Sequence, residues 1–201
     1  MKNIKEIIYI CIMNNKTLNK ENGIFMGVEP VGGNDMFDAG LAKAILSYLK
    51  NQNVKKIADF GCGHGQYTFF FEKENLKCDG FDGNPDTPKI TKNKCNVLDL
   101  TKKFVSETKW EYIISLEVAE HLPKKFEKIF IQNLNNNNTK GIILSWAFPG
   151  GDGGYGHFNE QNNDYIKNIF SKLGYYNDIN AETYLRKKSL GFKNTIMVFK
   201  K

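Results

Sequence analysis

The sequence predicts a doubly wound α/β fold, in which a mostly parallel sheet is covered by helices on both faces. Three observations lead to this prediction. Apolar, strand-like runs alternate with segments of helical periodicity from about residue 35 to the end of the chain. The runs are apolar throughout, as in parallel strands that are buried on both sides. A glycine-rich turn follows the first run, and folds of this class bind ligands at the carboxyl ends of their strands.

The predicted elements follow one another at short intervals. A first helix is expected over roughly residues 35–50, where apolar residues recur at helical spacing after a capping Asn34 or Asp35. The strand-like runs are Lys56–Phe60, Cys78–Phe81, Cys95–Leu98, Tyr112–Leu116, Ile142–Trp146 and Thr195–Phe199. Helical stretches fit between several of them, at Gln66–Glu74, Lys124–Leu134 and Asn163–Leu173. The run Asn135–Asn138 is interpreted as a solvated loop of low complexity.

The chain length suits one domain. Its 201 residues are enough for a substantial core, and we expect a single domain over residues 34–201. Residues 1–33 are polar and punctuated by glycine, and they end in Pro30-Val31-Gly32-Gly33. Because they are too few to fold alone, they are predicted to form an N-terminal arm that is mobile or covers the substrate.

The composition limits the classes of partner. The chain has 28 basic and 22 acidic residues and a net charge of +6, but every basic residue except Arg186 is a lysine. Arginine is the side chain that binds guanine or phosphate with two parallel hydrogen bonds. Because this chain has a single arginine, sequence-specific DNA binding is not expected. The apolar run Ile7–Met13 is far shorter than the ~20 residues of a membrane span. The four cysteines show neither zinc nor disulfide spacing, and we expect a cytoplasmic protein.

The segment Asp59-Phe60-Gly61-Cys62-Gly63-His64-Gly65 follows the first predicted strand and opens a helix. Closely spaced glycines let the backbone approach a ligand without obstruction by side chains. A tight strand-to-helix turn is the simpler explanation, but three alternating glycines after an acidic residue favour a binding loop. A dinucleotide fingerprint would need glycine where this chain has Gln66, which disfavours a pyrophosphate site.

Two further aspartates end the next two predicted strands. Asp82 stands in Gly80-Phe81-Asp82-Gly83-Asn84, where its carboxylate can accept both hydroxyl protons of a ribose. Asp99 ends the third strand-like run. A lone aspartate at a strand end is usually only a turn cap. Together with Asp59, however, these residues predict a nucleoside site.

With these residues the chain resembles the class I S-adenosylmethionine-dependent methyltransferases. The resemblance covers roughly residues 35–201, and its most specific element is the Asp59–Gly65 segment, which matches the first motif of that family. It implies a seven-stranded sheet whose last strand, Lys193–Lys200, is antiparallel. It also implies that the usual second helix is reduced, because Pro85 and Pro88 are poor helix formers.

The resemblance further implies which residues hold S-adenosylmethionine. Asp59 and the glycine loop would face the methionyl part, Asp82 would bind the ribose hydroxyls, and Asp99 with Leu100 would border the adenine. The full set of expected cofactor-binding residues is Asp59, Gly61, Cys62, Gly63, Asp82, Gly83, Asp99, Leu100 and Glu117.

The methyl acceptor is expected beside the segments that follow the fourth and fifth strands. Glu117-Val118-Ala119-Glu120-His121-Leu122-Pro123 is similar to the E-V-x-E-H-x-P segment of many small-molecule methyltransferases, which lies beside the reactive methyl. Residues 145–161 are rich in glycine and are predicted to form a long loop at the ligand edge. His157 in this loop and His121 are the candidate general bases, and Glu120 is the third candidate catalytic residue. Each could instead cap a helix or fix the loop.

Glu117, Glu120, His121 and His157 also resemble the E-x-x-E-H…H metal set of methyltransferases that modify the terminal ribose of small RNAs. Two carboxylates and two imidazoles can hold a divalent ion that binds two neighbouring hydroxyls. A diol-bearing sugar could use the same ion. Because E-x-x-E-H also occurs in metal-independent relatives, the sequence alone does not favour a metal.

We therefore expect an enzyme that transfers the methyl group of S-adenosylmethionine to an oxygen of a small polar metabolite, such as a sugar or a phosphate-bearing compound. Three alternatives remain: a metal-dependent methyltransferase of an RNA terminal ribose, an NAD-dependent oxidoreductase and a non-catalytic nucleoside-binding protein. Gln66 and the final strand disfavour the oxidoreductase. Candidate walls of the acceptor pocket are the aromatic residues Phe25, Phe37, Trp146, Tyr155 and Phe158.

Overall fold

The computed structural model describes residues 17–27, 37–151 and 154–201. The predicted caps Asn34 and Asp35 and the run Ile7–Met13 lie outside these ranges. The strands are β1 (Thr17–Asn19), β2 (Ile24–Met26), β3 (Lys56–Phe60), β4 (Lys77–Asp82), β5 (Cys95–Val97), β6 (Trp110–Ser115), β7 (Asn138–Leu144), β8 (Tyr176–Asn177) and β9 (Met197–Lys200). The helices are α1 (Ala39–Asn51), α2 (Gln66–Lys73), α3 (Thr87–Ile90), α4 (Glu127–Asn136), α5 (Asn163–Lys172) and α6 (Ile179–Lys188), with a 3-10 turn at Lys124–Phe126.

Seven strands form one sheet in the order β5-β4-β3-β6-β7-β9-β8. Strands β3 to β7 are parallel, and β9 is antiparallel to both β7 and β8. The strand order reverses between β3 and β6, which opens a crevice at their carboxyl ends. The predicted doubly wound sheet with an antiparallel last strand is therefore confirmed. Strands β1 and β2 form a separate antiparallel hairpin within the N-terminal arm.

The core consists of two apolar layers, one on each face of the sheet. Ile113 and Ile114 are neighbours in β6, and each belongs to a different layer. The layer around Ile114 packs against α1, α2 and α6, whereas the layer around Ile113 packs against α4 and α5. Since successive strand residues face opposite sides, a sheet covered twice needs apolar residues at both positions. This arrangement explains the continuous apolar runs in the sequence.

Helix α1 begins later than predicted, and its N-cap is Asp38. The Asp38 Oδ1 atom accepts a hydrogen bond from the backbone N–H of Leu41 at 2.9 Å. Its Oδ2 atom accepts one from the Ser189 hydroxyl at 2.8 Å, which joins the start of α1 to the turn after α6. Burial opposes ionisation, but these hydrogen bonds outweigh it and hold the pKa of Asp38 below its usual value. The true cap is set by a distant partner, which local spacing does not reveal.

The prediction of a solvated loop at Asn135–Asn138 is wrong. Asn135 and Asn136 end α4, and Asn138 begins β7. Asn137 and Asn138 are buried. The Asn138 amide donates to the Leu134 carbonyl at 2.8 Å and to the Tyr175 hydroxyl at 2.6 Å. The hydrogen bonds of these side-chain amides to backbone carbonyls replace the hydrogen bonds to water that are lost on burial. This polar run can therefore be buried.

Two helices differ in how well the sequence indicated them. Helix α3 has four residues, in agreement with the expected reduction of the second helix. Helix α6 was not predicted, because Ala181 and Leu185 are its buried apolar residues and they form too short a stripe to show a period. Within the described ranges, no helix has the length and apolar character needed to cross a bilayer.

Candidate active site

A cavity of about 220 Å³ lies at the carboxyl ends of β3, β4 and β6. Its walls come from the glycine loop, the turn after β4 and the segment after β6, all of which the sequence predicted to be functional. The expected cofactor-binding residues that line it are Asp59, Gly61, Cys62, Gly63, Asp82, Gly83, Leu100 and Glu117. The sheet thus brings together eight residues from four separate segments of the chain.

The glycine loop is held open by its backbone conformation. Gly61 and Gly63 have φ values of +86° and +53°, which residues with a Cβ rarely adopt. The Gly61 N–H donates to the Phe81 carbonyl at 2.7 Å and fixes the loop to β4. A Cβ on Gly61 would lie 2.3 Å from the Val118 Cγ2 atom. Both the turn and this close approach therefore require glycine at position 61.

Asp59 lies at the base of the cavity and is almost fully buried. One carboxylate oxygen accepts a hydrogen bond from the Thr68 hydroxyl at 2.9 Å. Burial raises the pKa of Asp59 to about 7, and the charge of nearby Asp82 adds to the rise. No basic side chain is hydrogen-bonded to Asp59 within the described part of the chain. A cationic ligand group would favour its charged form.

Two backbone N–H groups, one for each carboxylate oxygen, hold the side chain of Asp82 in place. Its Oδ2 atom accepts from the Gly63 N–H at 2.8 Å and its Oδ1 atom from the Asn84 N–H at 2.9 Å. Burial raises the pKa of Asp82, although these hydrogen bonds favour the charged form. Each carboxylate oxygen can accept a second bond, so a pair of ligand hydroxyls can still be bound.

Asp99 does not line the cavity, in contrast to its neighbours Leu98 and Leu100. Its Oδ1 atom accepts from the N–H and the hydroxyl of Thr101, at 2.9 and 2.6 Å. Its other carboxylate oxygen lies 3.3 Å from Lys102 Nζ. The side chain therefore stabilises its own turn, and apolar side chains form this wall of the cavity.

The β1–β2 hairpin covers the cavity from the side of the N-terminal arm. Ile24 packs on Gly83, and the Gly27 carbonyl accepts a hydrogen bond from the Asn84 amide at 2.7 Å. The buried Gly23 packs on the carbonyl group of His121 so closely that a Cβ would lie 2.0 Å from its oxygen. The hairpin thus contacts both the Asp82 side and the His121 side of the site. Sequence reasoning predicted the arm but not these residues.

Glu117 stands where β6 leaves the sheet, and its backbone is unusual. Its φ of +53° is rare for a residue with a side chain and is typical of strained functional sites. The Glu117 N–H donates to the Ser145 hydroxyl at 2.8 Å, which holds this turn against the end of β7. The side-chain Oε1 atom is buried and has no hydrogen-bond partner. Glu117 lines the cavity and also a second cleft beyond it.

Glu120, His121 and His157 form a cluster next to Glu117. Each contributes one oxygen or nitrogen atom to a group in which all atoms lie within 4.8 Å of one another. Glu120 is fully buried, and neither of its carboxylate oxygens has a partner. Burial and the nearby Glu117 raise the pKa of Glu120 well above its usual value. Burial also lowers the pKa of His121 to about 4, so its imidazole is neutral at pH 7.

Hydrogen bonds hold the Nδ1 atoms of both histidines. The His121 Nδ1 atom pairs with the Gly156 carbonyl at 3.1 Å, and the His157 Nδ1 atom lies 2.9 Å from Glu160 Oε1. An Nδ1–H bond to an oxygen leaves Nε2 as the atom with a free lone pair. Glu160 was not among the predicted site residues, although an acidic residue three positions after His157 was a visible signal.

The glycine-rich loop is folded back so that His157 reaches the cluster. The N–H groups of Phe158 and Asn159 donate to the Glu120 carbonyl at 2.7 and 2.9 Å. A Cβ on Gly154 would lie 2.0 Å from the His157 Nε2 atom. The loop therefore needs glycine at position 154 because the imidazole packs directly on it.

These residues fit a divalent cation. A buried carboxylate without any partner is costly unless it is protonated or neutralised by a cation. Two imidazoles with their Nδ1 atoms bound to oxygen and one or two carboxylates are donors that suit Mn²⁺, Fe²⁺ or Zn²⁺. The Glu120 oxygens are the main observation, because both are buried and neither has a hydrogen-bond partner among the described residues, while the carboxyl group of Glu117 lies nearby.

The predicted aromatic walls divide into two groups. Phe25 makes an edge contact with His121 at 4.9 Å between centroids, and Tyr155 and Phe158 are exposed. Trp146, in contrast, is fully buried against Phe130 and belongs to the core. Phe37 packs on Tyr67 and does not line the cavity. Of the five predicted wall residues, Phe25 lines the cavity, whereas Phe37, Trp146, Tyr155 and Phe158 line neither this cavity nor the second cleft beyond Glu117. Trp146 has no exposed surface, so its interpretation as a pocket wall is wrong.

A family model described as a methyltransferase domain matches residues 35–178, which is more than half of the chain. The chain belongs to this family. No curated protein sequence matches it. The matched range of the methyltransferase includes the glycine loop, Asp82 and the cluster around Glu120.

Solved structures share the fold of the methyltransferase at 16% sequence identity. Magnesium protoporphyrin IX methyltransferase ChlM from Synechocystis PCC 6803, with bound SAH, has a TM-score of 0.62 over 80% of this chain and 81% of its own. A SAM-dependent methyltransferase from Archaeoglobus fulgidus has a TM-score of 0.58 over 80% and 94%. The methyltransferase domain of bacterial CtHen1-CN has a TM-score of 0.57 over 80% and 97%.

The family model identifies the protein as a methyltransferase, and the chain shares its fold with methyltransferases solved with bound SAH or SAM. The enzyme class agrees with the sequence analysis. An oxidoreductase and a non-catalytic protein are thereby disfavoured.

Proposed function

We propose that the protein is a divalent-cation-assisted O-methyltransferase whose acceptor carries two neighbouring hydroxyl groups. The observation that carries this proposal is the cluster of Glu120, His121 and His157 within 4.8 Å, with both Glu120 oxygens buried and without partners. The cluster adjoins Glu117, which borders the cofactor cavity. The proposal keeps O-methylation of a polar compound and adds a metal that sequence reasoning did not favour.

Three residues would hold the ion: Glu120 through its carboxylate, and His121 and His157 through Nε2. When bound, the ion would lower the pKa of an acceptor hydroxyl and bring it into line for attack. The hydrogen bonds from Nδ1 to Gly156 and Glu160 support this role, because they orient the imidazoles. Glu117 is the fourth member of the candidate set and lies at its edge.

In the transfer itself, the acceptor oxygen forms a bond to the methyl carbon, and the bond from carbon to sulfur breaks. The electron pair returns to sulfur, which yields S-adenosylhomocysteine. The hydroxyl proton must leave, and we assign it to the carboxylate of Glu117, because this residue lines both cavities. Alignment by the surrounding residues supplies much of the rate.

Without a metal, His157 remains the general base. Its bond to Glu160 would then stabilise the protonated imidazole, as a carboxylate does beside a catalytic histidine. Metal dependence separates the two mechanisms, since this second one tolerates EDTA.

The N-terminal hairpin is proposed to act as a lid over the bound cofactor. The contacts of Ile24 with Gly83 and of Gly27 with Asn84 support this role, because both lie beside Asp82. The arm and the domain over residues 34–201 would then form one catalytic unit.

The metal is tested by calorimetric titration of Mn²⁺ into the protein saturated with S-adenosylhomocysteine. We expect Glu120→Gln to weaken Mn²⁺ binding at least 100-fold while S-adenosylhomocysteine still binds. Glu107→Gln, which changes an exposed carboxylate before β6, is the matched control and should bind Mn²⁺ like the wild type. Equal Mn²⁺ affinity of Glu120→Gln and wild type would reject the metal site.

A further inference from the structure

A second cleft of about 470 Å³ lies beyond Glu117, between the loop after β7 and the turn before β9. We call it the acceptor cleft; its walls include Glu117, Phe148, His157, Glu160, Asn194 and Thr195. It shares Glu117 with the cofactor cavity, so the two cavities adjoin at this residue. Its volume suits a small molecule or one terminal unit of a larger one.

We infer that the acceptor cleft binds an uncharged polyhydroxylated group, such as a neutral sugar ring or cyclitol, and excludes acceptors with a phosphate on that group. This inference rests on the proposed function, and it selects one acceptor class among those that the metal cluster alone would allow.

Charge is the first argument for a neutral acceptor. Among the described residues that line the acceptor cleft there is no lysine or arginine, although the whole chain carries a net charge of +6. Glu117 and Glu160 lie in its wall, and Glu120 lies next to it. A phosphate in this cleft would therefore face two acidic side chains and no basic side chain among the described wall residues.

The polar groups of the far wall are the second argument. Thr195 is 8% exposed, and its hydroxyl oxygen is buried without a hydrogen-bond partner. A buried hydroxyl normally has a partner, and rotation of the Thr195 side chain toward the cleft would let an acceptor hydroxyl supply one. The Asn163 amide donates to the Asn194 carbonyl at 2.7 Å, which fixes the backbone of this turn. Asn194 is exposed and adds an amide that can both donate and accept.

Phe148 provides the third argument. It is half-buried in the wall of the acceptor cleft, where Gly150 and Gly151 add no side chains. The aromatic face of Phe148, next to backbone without side chains, can contact the C–H face of an acceptor ring. The hydroxyl groups of the acceptor can then reach the polar groups of the cleft. The cleft thus combines an apolar surface with hydrogen-bonding groups, a pattern that suits a polyol.

The inference is tested with neutral cis-diols: methyl β-D-ribofuranoside, methyl α-D-mannopyranoside and myo-inositol. Their binding to the protein saturated with S-adenosylhomocysteine and Zn²⁺ is followed by saturation-transfer NMR. Methyl transfer is followed by release of S-adenosylhomocysteine from S-adenosylmethionine. The 5-phosphate of the ribofuranoside and a short RNA with a free 3′ diol are the charged counterparts. We expect at least one neutral diol to bind and to exceed both charged acceptors at least tenfold in kcat/KM.

Two variants test the assigned walls. Thr195→Val should raise the KM for the neutral diol at least fivefold with kcat within twofold, whereas Thr139→Val, on the exposed start of β7, should change neither. Asn194→Lys should shift the preference toward the 5-phosphate.

Equal or better use of the 5-phosphate or the RNA by the wild type would overturn the inference, as would failure of every neutral diol to bind while Mn²⁺ still binds. If the wild-type protein does not bind Mn²⁺, the proposed function is overturned instead.

Discussion

The Nδ1 atom of His157 lies 2.9 Å from the Oε1 atom of Glu160, and both side chains are largely shielded from solvent. This pair connects a loop histidine to a carboxylate outside the cluster of Glu120, His121 and His157. The Gly154 N–H also donates to this Nδ1 atom at 3.3 Å, so within the described residues Nε2 is the ring nitrogen without a hydrogen-bond partner. Glu160 therefore acts as a positioning residue for His157.

Replacing Glu160 tests this positioning. We expect Glu160→Ala to weaken Mn²⁺ binding about 10- to 100-fold, because second-layer partners orient metal-binding imidazoles. Glu160→Gln keeps an oxygen acceptor and should lose less. Calorimetry with Mn²⁺, with S-adenosylhomocysteine titrated as the control ligand, measures both effects. Unchanged Mn²⁺ affinity in both variants would mean that Glu160 only shapes the loop.

Asp82→Ala should weaken binding of S-adenosylhomocysteine by about 2 to 4 kcal/mol, because a charged acceptor for the ribose hydroxyls is lost. The matched control is Asp99→Ala, since Asp99 does not line the cavity. It should reduce stability through its lost turn contacts but leave the affinity close to that of the wild type. Equal affinity of Asp82→Ala and wild type would remove the ribose assignment.

Binding of S-adenosylhomocysteine should strengthen as the pH rises from 6 to 8. The pKa of Asp59 is about 7 in the folded protein, so its carboxylate becomes charged over this range and attracts the cationic amino group of the ligand. Asp59→Asn should bind more weakly and show a flatter profile. A wild-type affinity that is constant between these pH values would argue against contact with the amino group.

The carboxyl group of Asp59 also makes the stability of the fold depend on pH, and stability falls over the range in which ligand binding strengthens. Because the folded pKa of Asp59 lies above its unfolded value, its contribution to stability is full at low pH and is lost as the pH rises to about 7. Asp59→Asn should therefore gain stability relative to the wild type between pH 5 and 8. Urea unfolding at several pH values, without ligand, measures this difference, and a constant difference would contradict the raised pKa.

Gly154→Ala should abolish methyl transfer while cofactor affinity and melting temperature remain close to those of the wild type. The new methyl group would occupy the position of the His157 imidazole and displace it from the cluster. Gly151→Ala is the control in the same loop, because its Cβ would meet the Phe148 carbonyl oxygen at an ordinary 3.4 Å. Full activity of Gly154→Ala would show that the position of His157 is not required.

Local patterns were sufficient to predict that Asp59 and Asp82 lie in one cavity. Both follow predicted strands, and parallel strands bring their carboxyl ends to one edge of the sheet. Asp99 follows the same rule but is held by Thr101 and Lys102, which a strand-end position cannot distinguish. The difference between a binding aspartate and a turn cap depends on side-chain direction, which the pattern does not contain.

The acceptor side depended more on contacts between distant segments. His121 and His157 were recognised by residue type, but their proximity results from the loop that folds back onto the Glu120 carbonyl. The same limitation applies to Asp38, whose partner Ser189 is more than a hundred positions away. Neither of these long-range pairs has a sequence period that could have revealed it.

Gly23 packs on the carbonyl of His121, and Gly27, four positions later, accepts a hydrogen bond from Asn84. If the hairpin moves as one unit, its contacts on the two sides of the cavity are broken together. Departure of the spent cofactor past this hairpin would then also disturb the backbone at His121. Under the proposed lid role, this coupling would make the hairpin a determinant of the order in which the methylated product and S-adenosylhomocysteine leave.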